Sequence, residues 1–205
     1  QQVMEGLRLG SVELAVVHDG GIPGVYKTFN IFGLPFLFND HAHAYAVLDG
    51  KFGQELAEDM RKRTGIRLMG YADNGIRHFT NSKRAIRTPE DMKGLKIRVP
   101  DAPAYLAFPK SLGANPTPIA FAEVYLALQN KTVDAQENPL PTIEAKKFYE
   151  VQSHINITAH ITDALLTIVG GPLWSKLTPA DRTTFTAVFQ DRKSTRLNSS
   201  HTDIS

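Results

Sequence analysis

The stretch "TPEDMKGLKIRVPDAPAYLAFPKSLG", residues 88–113, carries the punctuation from which the fold can be read. Thr88 stands at an N-cap, Pro89 at the first helical position and Asp91 where it can close a capping box. Gly94 then ends the short helix. "LKIRVP" (95–100) follows as a strand, with Leu95, Ile97 and Val99 on one face and Lys96 and Arg98 on the other. Pro100 stops it, and "APAYLAFPKSLG" (102–113) reads as the next helix. Strand "PTPIA" (116–120), helix "FAEVYLALQN" (121–130), strand "TVDAQ" (132–136) and helix "PLPTIEAKKFYE" (139–150) continue the alternation. Such alternation argues an α/β architecture with sheets covered on both faces.

Upstream, "QQVMEGLRLG" (1–10) opens in mid-pattern, with Val3 and Leu7 at helical spacing and Gly10 as a stop. "SVELAVV" (11–17) reads as a strand and "HDGGIPG" (18–24) as a loop. Residues 41–63 read as helical with a break at Gly50 or Gly53. "GIRLMGYA" (65–72) and "GIRHFT" (75–80) read as two short strands, as do "VQSHINIT" (151–158) and "DALLTIVG" (163–170). Two helical segments follow, the second opened by "LTPAD" (177–181). The tail 191–205 is polar and without period. It reads as disordered and foreign to the rest of the chain.

Composition narrows the function classes. The 205 residues are 42% hydrophobic with a net charge of +2, and no basic run precedes the tail. That leaves nucleic acid and anionic membrane surfaces without an electrostatic footprint. No apolar run reaches the 18 or so residues that a bilayer needs. Cysteine is absent, which removes disulfides, thiolate catalysis and Cys-ligated metals.

Ligands of open α/β sheets gather beyond the carboxyl ends of strands. That rule selects His18, Arg98, Asn138 and His160, with Arg77 and Arg84 close in sequence. Each has an ordinary alternative: a solvated arginine, an N-cap asparagine, a surface histidine. "GGIPG" (20–24) lacks the Lys-Ser/Thr ending of a phosphate loop, and no nucleophile elbow, HExxH or paired acidic motif occurs. Recognition groups are present without an evident reactive one.

"KGLKIRVPDAPAY" (93–105), "LGANPTPIAFAEVYLALQNKTVDAQENPL" (112–140) and "AKKFYEVQ" (145–152) resemble the extracytoplasmic solute-binding proteins of TRAP transporters, in the branch binding dicarboxylates and sialic acid. The resemblance covers residues 1–190 and is dense from 65 to 165. It implies that Arg98, in "IRVP", forms a two-pronged salt bridge with a ligand carboxylate, and that Asn138, in "QENP", supports the same group. Glu137 and Gln136 would orient that corner. Arg77 matches a second arginine, Phe121 a phenylalanine lining the pocket, and His160 a polar contact near the hinge. His18 stands where sialic-acid binders carry an acidic residue, which argues against sialic acid.

The implied fold is periplasmic-binding-protein-like: two α/β domains joined by a hinge, with the ligand cleft between them. Domain I would comprise 1–75 and 164–190, domain II 76–163, and the chain would be truncated at both ends. The implied function is capture of a small organic acid in the periplasm for delivery to a TRAP membrane permease. It needs neither cofactor nor catalysis. The alternatives are a lyase or hydrolase, using Arg98 to hold a carboxylate and His18 or His160 as base, and a sensory ligand-binding module.

Overall fold

A short amphipathic helix starts the first layer. In the computed structural model, which describes the backbone of residues 2–199 and the side chains of residues 2–189, α1 (Gln2–Leu9) buries Met4 and Leu7. It stops at Gly10, whose φ of +83° suits a residue without a Cβ. Strand β1 (Leu14–His18) follows, then 3-10 segments at Asp19–Gly21 and Lys27–Gly33. Helices α2 (His41–Asp49) and α3 (Lys51–Thr64) meet at Gly50.

The two strands expected over 65–80 are one, β2 (Arg67–Asn81), and those expected over 151–170 fuse into β6 (His154–Val169). β2 and β6 pair antiparallel along most of their length. Register shifts between Leu68 and Gly70, Asp73 and Gly75, and Arg77 and Phe79 carry the ladder past residues that read as breaks. Gly75 and Ala159 adopt positive φ within these strands, where an extra residue has to be absorbed.

The Thr88–Asp91 capping box forms as expected, with Asp91 Oδ2 accepting the Thr88 N–H at 2.9 Å. The element that it opens, Pro89–Met92, is a 3-10 turn because Gly94 ends it within one turn. Strand β3 (Lys96–Val99), helix α4 (Pro103–Ser111), strand β4 (Asn115–Pro118) and helix α5 (Val124–Gln129) follow. Strand β5 (Ala135–Pro139) lies three residues further on than the strand read at 132–136. It pairs parallel with β3 and antiparallel with β2, so Gln136, Glu137 and Asn138 sit inside the sheet rather than beyond a strand end. Helices α6 (Leu140–Ala145), α7 (Gly171–Lys176) and α8 (Pro179–Ser199) complete the chain. The tail read as disordered from 191 therefore has helical backbone to Ser199, since a nucleated helix gains a hydrogen bond for each residue added. Residues 200–205 lie outside the described residues.

The six strands form a single sheet in the order β1-β6-β2-β5-β3-β4, parallel among β5, β3 and β4 and antiparallel elsewhere. Burial divides into three clusters. The first includes Leu7, Phe29, Met60, Ile66, Tyr71, Leu166 and Ile168. The second gathers Phe79, Leu95, Ile97, Val99, Tyr105 and Ile161, and the third Val124, Leu128, Val133, Ile143 and Phe148. β2 and β6 run from the first cluster to the second, and a cleft opens beside them.

Candidate functional site

The cleft has a volume of about 770 Å³. His18, at the end of β1, and Gly20, in the 3-10 turn after it, line it on one side. Asn74, Arg77 and Leu165 line it from β2 and β6. Arg98, Asp101, Phe121, Asn138, Thr142 and Lys146 come from the β3–α6 region.

Arg98 is placed by the pleat of β3, which turns Ile97 and Val99 into the second cluster. It is only 4% exposed, yet it has one hydrogen bond, from Nε to the Ile119 carbonyl at 2.9 Å. Neither terminal nitrogen has a protein acceptor among the described residues, and no carboxylate pairs with it. Burial pulls its pKa down to about 10, with Glu137 opposing and Arg77 assisting that shift. The guanidinium carbon lies 5.9 Å from the centre of the Phe121 ring, and Lys146 Nζ lies 5.5 Å from the same ring. Phe121 itself is 42% exposed, at the start of a 3-10 turn.

Arg77 is the opposite case. It is 1% exposed and fully engaged within the protein. Nε and Nη2 fork onto the Glu137 carboxylate, while Nη1 donates to Asp163 Oδ2 at 2.5 Å. Nη2 also donates to the Glu137 carbonyl at 2.8 Å and to Asn138 Oδ1 at 3.2 Å. The role drawn from the resemblance was ligand binding, but Arg77 spends its donors on buried carboxylates. Arg84, near it in sequence, points elsewhere and donates to the carbonyls of Asp91 and Lys93.

Glu137 and His160 are not in the cleft wall. Glu137 of β5 is buried against Arg77 of the neighbouring strand β2. Burial pushes its pKa up, but Arg77 holds it below the ordinary value. His160 is 1% exposed, stacks on Phe79 with ring centres 4.4 Å apart, and brings Nε2 to 3.5 Å from Glu137. Burial lowers its pKa below the ordinary value, with Glu137 opposing. Both residues thus support Arg77 from behind.

His18 does reach the cleft. Its Nδ1 accepts the Gly20 N–H at 2.9 Å, so in the neutral ring the proton sits on Nε2, 2.8 Å from Asp163 Oδ1. Burial lowers its pKa, but Asp163 and Asp19 more than offset this and hold it above the ordinary value. Asp19 and Asp163 were missed from sequence. Asp163 is a lone acid inside the apolar run "ITDALLTIV", which is the signal that could have found it. Burial pushes Asp19 up to about 6, whereas Asp163, against burial, is held far below the carboxylate range by His18 and Arg77. Tyr105 closes the group by donating to Asp19 Oδ1 at 3.0 Å. His18, Asp19 and Asp163 lie close enough to share a metal ion. The Arg77 guanidinium already stands among them, 2.5 Å from Asp163 and 2.8 Å from His18, and fills the place of a cation.

The cleft therefore offers one unanswered guanidinium, an amide, exposed polar side chains and an aromatic rim, above a closed network of paired charges. No described helix is long and apolar enough to cross a membrane.

The family model described as bacterial extracellular solute-binding protein, family 7, matches residues 1–203. A solute-binding protein of Verminephrobacter eiseniae is 41% identical over 99% of this chain and 60% of its own length. The 2,3-diketo-L-gulonate-binding periplasmic protein of Escherichia coli is 38% identical, over 87% of this chain and 54% of its own. The crystal structure of a TRAP periplasmic solute-binding protein from Polaromonas, bound to D-erythronate, superposes with a TM-score of 0.91 at 36% identity. That match covers 97% of this chain and 66% of the other. The chain thus spans little more than half the length of these curated relatives. The mixed α/β architecture is that of this solved structure.

Proposed function

The chain belongs to family 7 of the bacterial extracellular solute-binding proteins, and from that premise we propose that it captures a small organic acid by its carboxylate and passes it to a TRAP-type membrane permease. The observation that carries this is Arg98, a buried guanidinium in a cleft wall with no carboxylate pairing with it among the described residues. A buried charge without a partner is costly, and a planar carboxylate is the group whose two oxygens match the guanidinium fork. Asn138, beside it in the wall, adds a neutral contact. The relatives named for 2,3-diketo-L-gulonate and D-erythronate point to hydroxylated acids as the first to try.

Residues 1–75 with 164–190 would form one wall and 76–163 the other, closing by flexure where β2 and β6 pass between them. The site of action would be the periplasm. Catalysis has little support in the geometry: both His18 nitrogens are engaged, and His160 is stacked and buried away from the cleft. Calorimetric titration with D-erythronate, 2,3-diketo-L-gulonate and succinate tests the reading. Saturable binding that is lost in Arg98→Ala is expected. Equal binding by the uncharged amides of these acids would overturn it.

A further inference from the structure

Behind Asn138 lies a line of buried amides and one hydroxyl that no cleft contact requires. Asn138 Nδ2 donates to Gln136 Oε1 at 2.6 Å, and Gln136 Nε2 donates to Thr80 Oγ1 at 2.8 Å. Thr80 Oγ1 donates in turn to Gln152 Oε1 at 2.9 Å. Gln152 Nε2 ends the line on the Val151 carbonyl at 2.9 Å. The sheet register supplies the spacing: Gln136 and Asn138 share a face of β5, and Thr80 of β2 stands directly opposite Gln136. Thr80 and Gln136 are wholly buried.

The direction of this line is fixed from both ends. At one end the Arg77 guanidinium can only donate, and it donates to Asn138 Oδ1. At the other a backbone carbonyl can only accept. Each bond between them must therefore point away from Arg77, and bonds aligned in this way polarise one another. Asn138 cannot turn its amide over without breaking bonds at both of its ends. Its oxygen is committed to Arg77, and one Nδ2 hydrogen is committed to Gln136. The second Nδ2 hydrogen has no protein acceptor among the described residues, in a side chain that lines the cleft.

We propose that Thr80 is a positioning residue for ligand capture: through Gln136 it holds the Asn138 amide with a hydrogen-bond donor, not an acceptor, presented to the bound carboxylate. Thr80 touches no ligand. Its hydroxyl accepts from Gln136 and donates to Gln152, and so keeps the Gln136 oxygen turned to the nitrogen end of the Asn138 amide, whose oxygen end Arg77 holds. The proposal rests on the reading of the cleft as a carboxylate site.

The test compares wild type, Thr80→Val and Thr80→Ser, each also combined with Asn138→Ala. Two quantities are measured: the Kd for D-erythronate, and the Asn138 side-chain amide resonances of the unliganded protein. Valine keeps the shape and removes both hydrogen bonds, whereas serine keeps the hydroxyl. Thr80→Val is expected to shift the Asn138 resonances and to weaken D-erythronate binding by about tenfold or more, the effect of a lost hydrogen bond to a charged group. Thr80→Ser is expected to restore both readouts. In the Asn138→Ala background Thr80→Val should cause no further loss of affinity. Unchanged Asn138 resonances in Thr80→Val, or an equal loss of affinity with and without Asn138, would overturn the proposal. Failure of wild type to bind D-erythronate counts against the ligand class, and the resonances then judge the relay by themselves. Should Thr80→Val not fold, Gln152→Met, which removes the acceptor beyond Thr80, is read by the same two measurements.

Discussion

Arg77 and Arg98 line one cleft, but among the described residues only Arg77 has its charge answered by a carboxylate. Glu137 and Asp163 both pair with Arg77, while the single hydrogen bond of Arg98 goes to the Ile119 carbonyl. One arginine is tied into the fold, and the other lines the cleft without a carboxylate partner among the described residues. Arg98→Ala should therefore weaken carboxylate binding at least tenfold, since hydrogen bonds to charged groups contribute about 1.5–3 kcal/mol each. It should leave the thermal midpoint unchanged or raise it, because a desolvated cation is removed. Arg98→Lys should bind poorly, as an ammonium lacks the fork. Calorimetry and thermal unfolding of the unliganded variants separate these outcomes.

Arg77→Ala should behave in reverse. Removing one partner of a buried ion pair costs about 3–5 kcal/mol, and here two carboxylates lose their cation together. Urea unfolding should show a large drop in stability even without ligand. A variant as stable as wild type would show that the pairing is not what holds Glu137 and Asp163 in place.

Asp19 gives a pH signature. Its pKa is raised by burial from 3.8 to about 6, with Asp163 adding to the shift and His18, Arg77 and Tyr105 opposing it. The folded protein thus holds the Asp19 proton more tightly than the unfolded chain does, so the contribution present below pH 3.8 is lost as pH rises through about 6. Asp19→Asn removes this titration. The midpoint difference between variant and wild type should move in favour of the variant between pH 4 and 7, measured by calorimetric unfolding. A difference that stays flat over that window would contradict the assignment.

Ligand incubated with excess protein should be recovered chemically unchanged, as judged by mass spectrometry and NMR. Product formation that disappears in His18→Ala would replace capture with catalysis.

The sequence made some of this legible and hid the rest for physical reasons. Local signals held: the Thr88–Asp91 box, the stop at Gly10, the break at Gly50 and the alternating faces of β3 all depend on near neighbours. The length of β2 and β6 was hidden, since Gly75 and the polar residues around it read as punctuation until the facing strand absorbs them as bulges. β5 was misplaced because three adjacent polar side chains seldom enter a sheet. Their partners, Arg77, Thr80 and His160, come from strands distant in sequence. The place of Arg98 in the cleft wall was legible through its motif, whereas the commitment of Arg77 depends on Asp163, 86 residues away.

The β2–β6 pair, crossing from one buried cluster to the other, would also bear on the thermodynamics of the proposed capture. Two walls joined by loose chain would sample many relative orientations, and a ligand drawing them together would have to offset that lost freedom. A hydrogen-bonded ribbon such as the β2–β6 pair, with its register shifts, would act instead as an elastic joint with few soft modes. On the proposed reading the open form would have little configurational entropy to surrender, and affinity would follow mainly from how well the acid satisfies the cleft. Stiffening the ribbon at Gly75, where φ is +100° and an added Cβ would meet Pro139 at 3.1 Å, should accordingly alter the rates of opening and closing more than the contacts to the ligand.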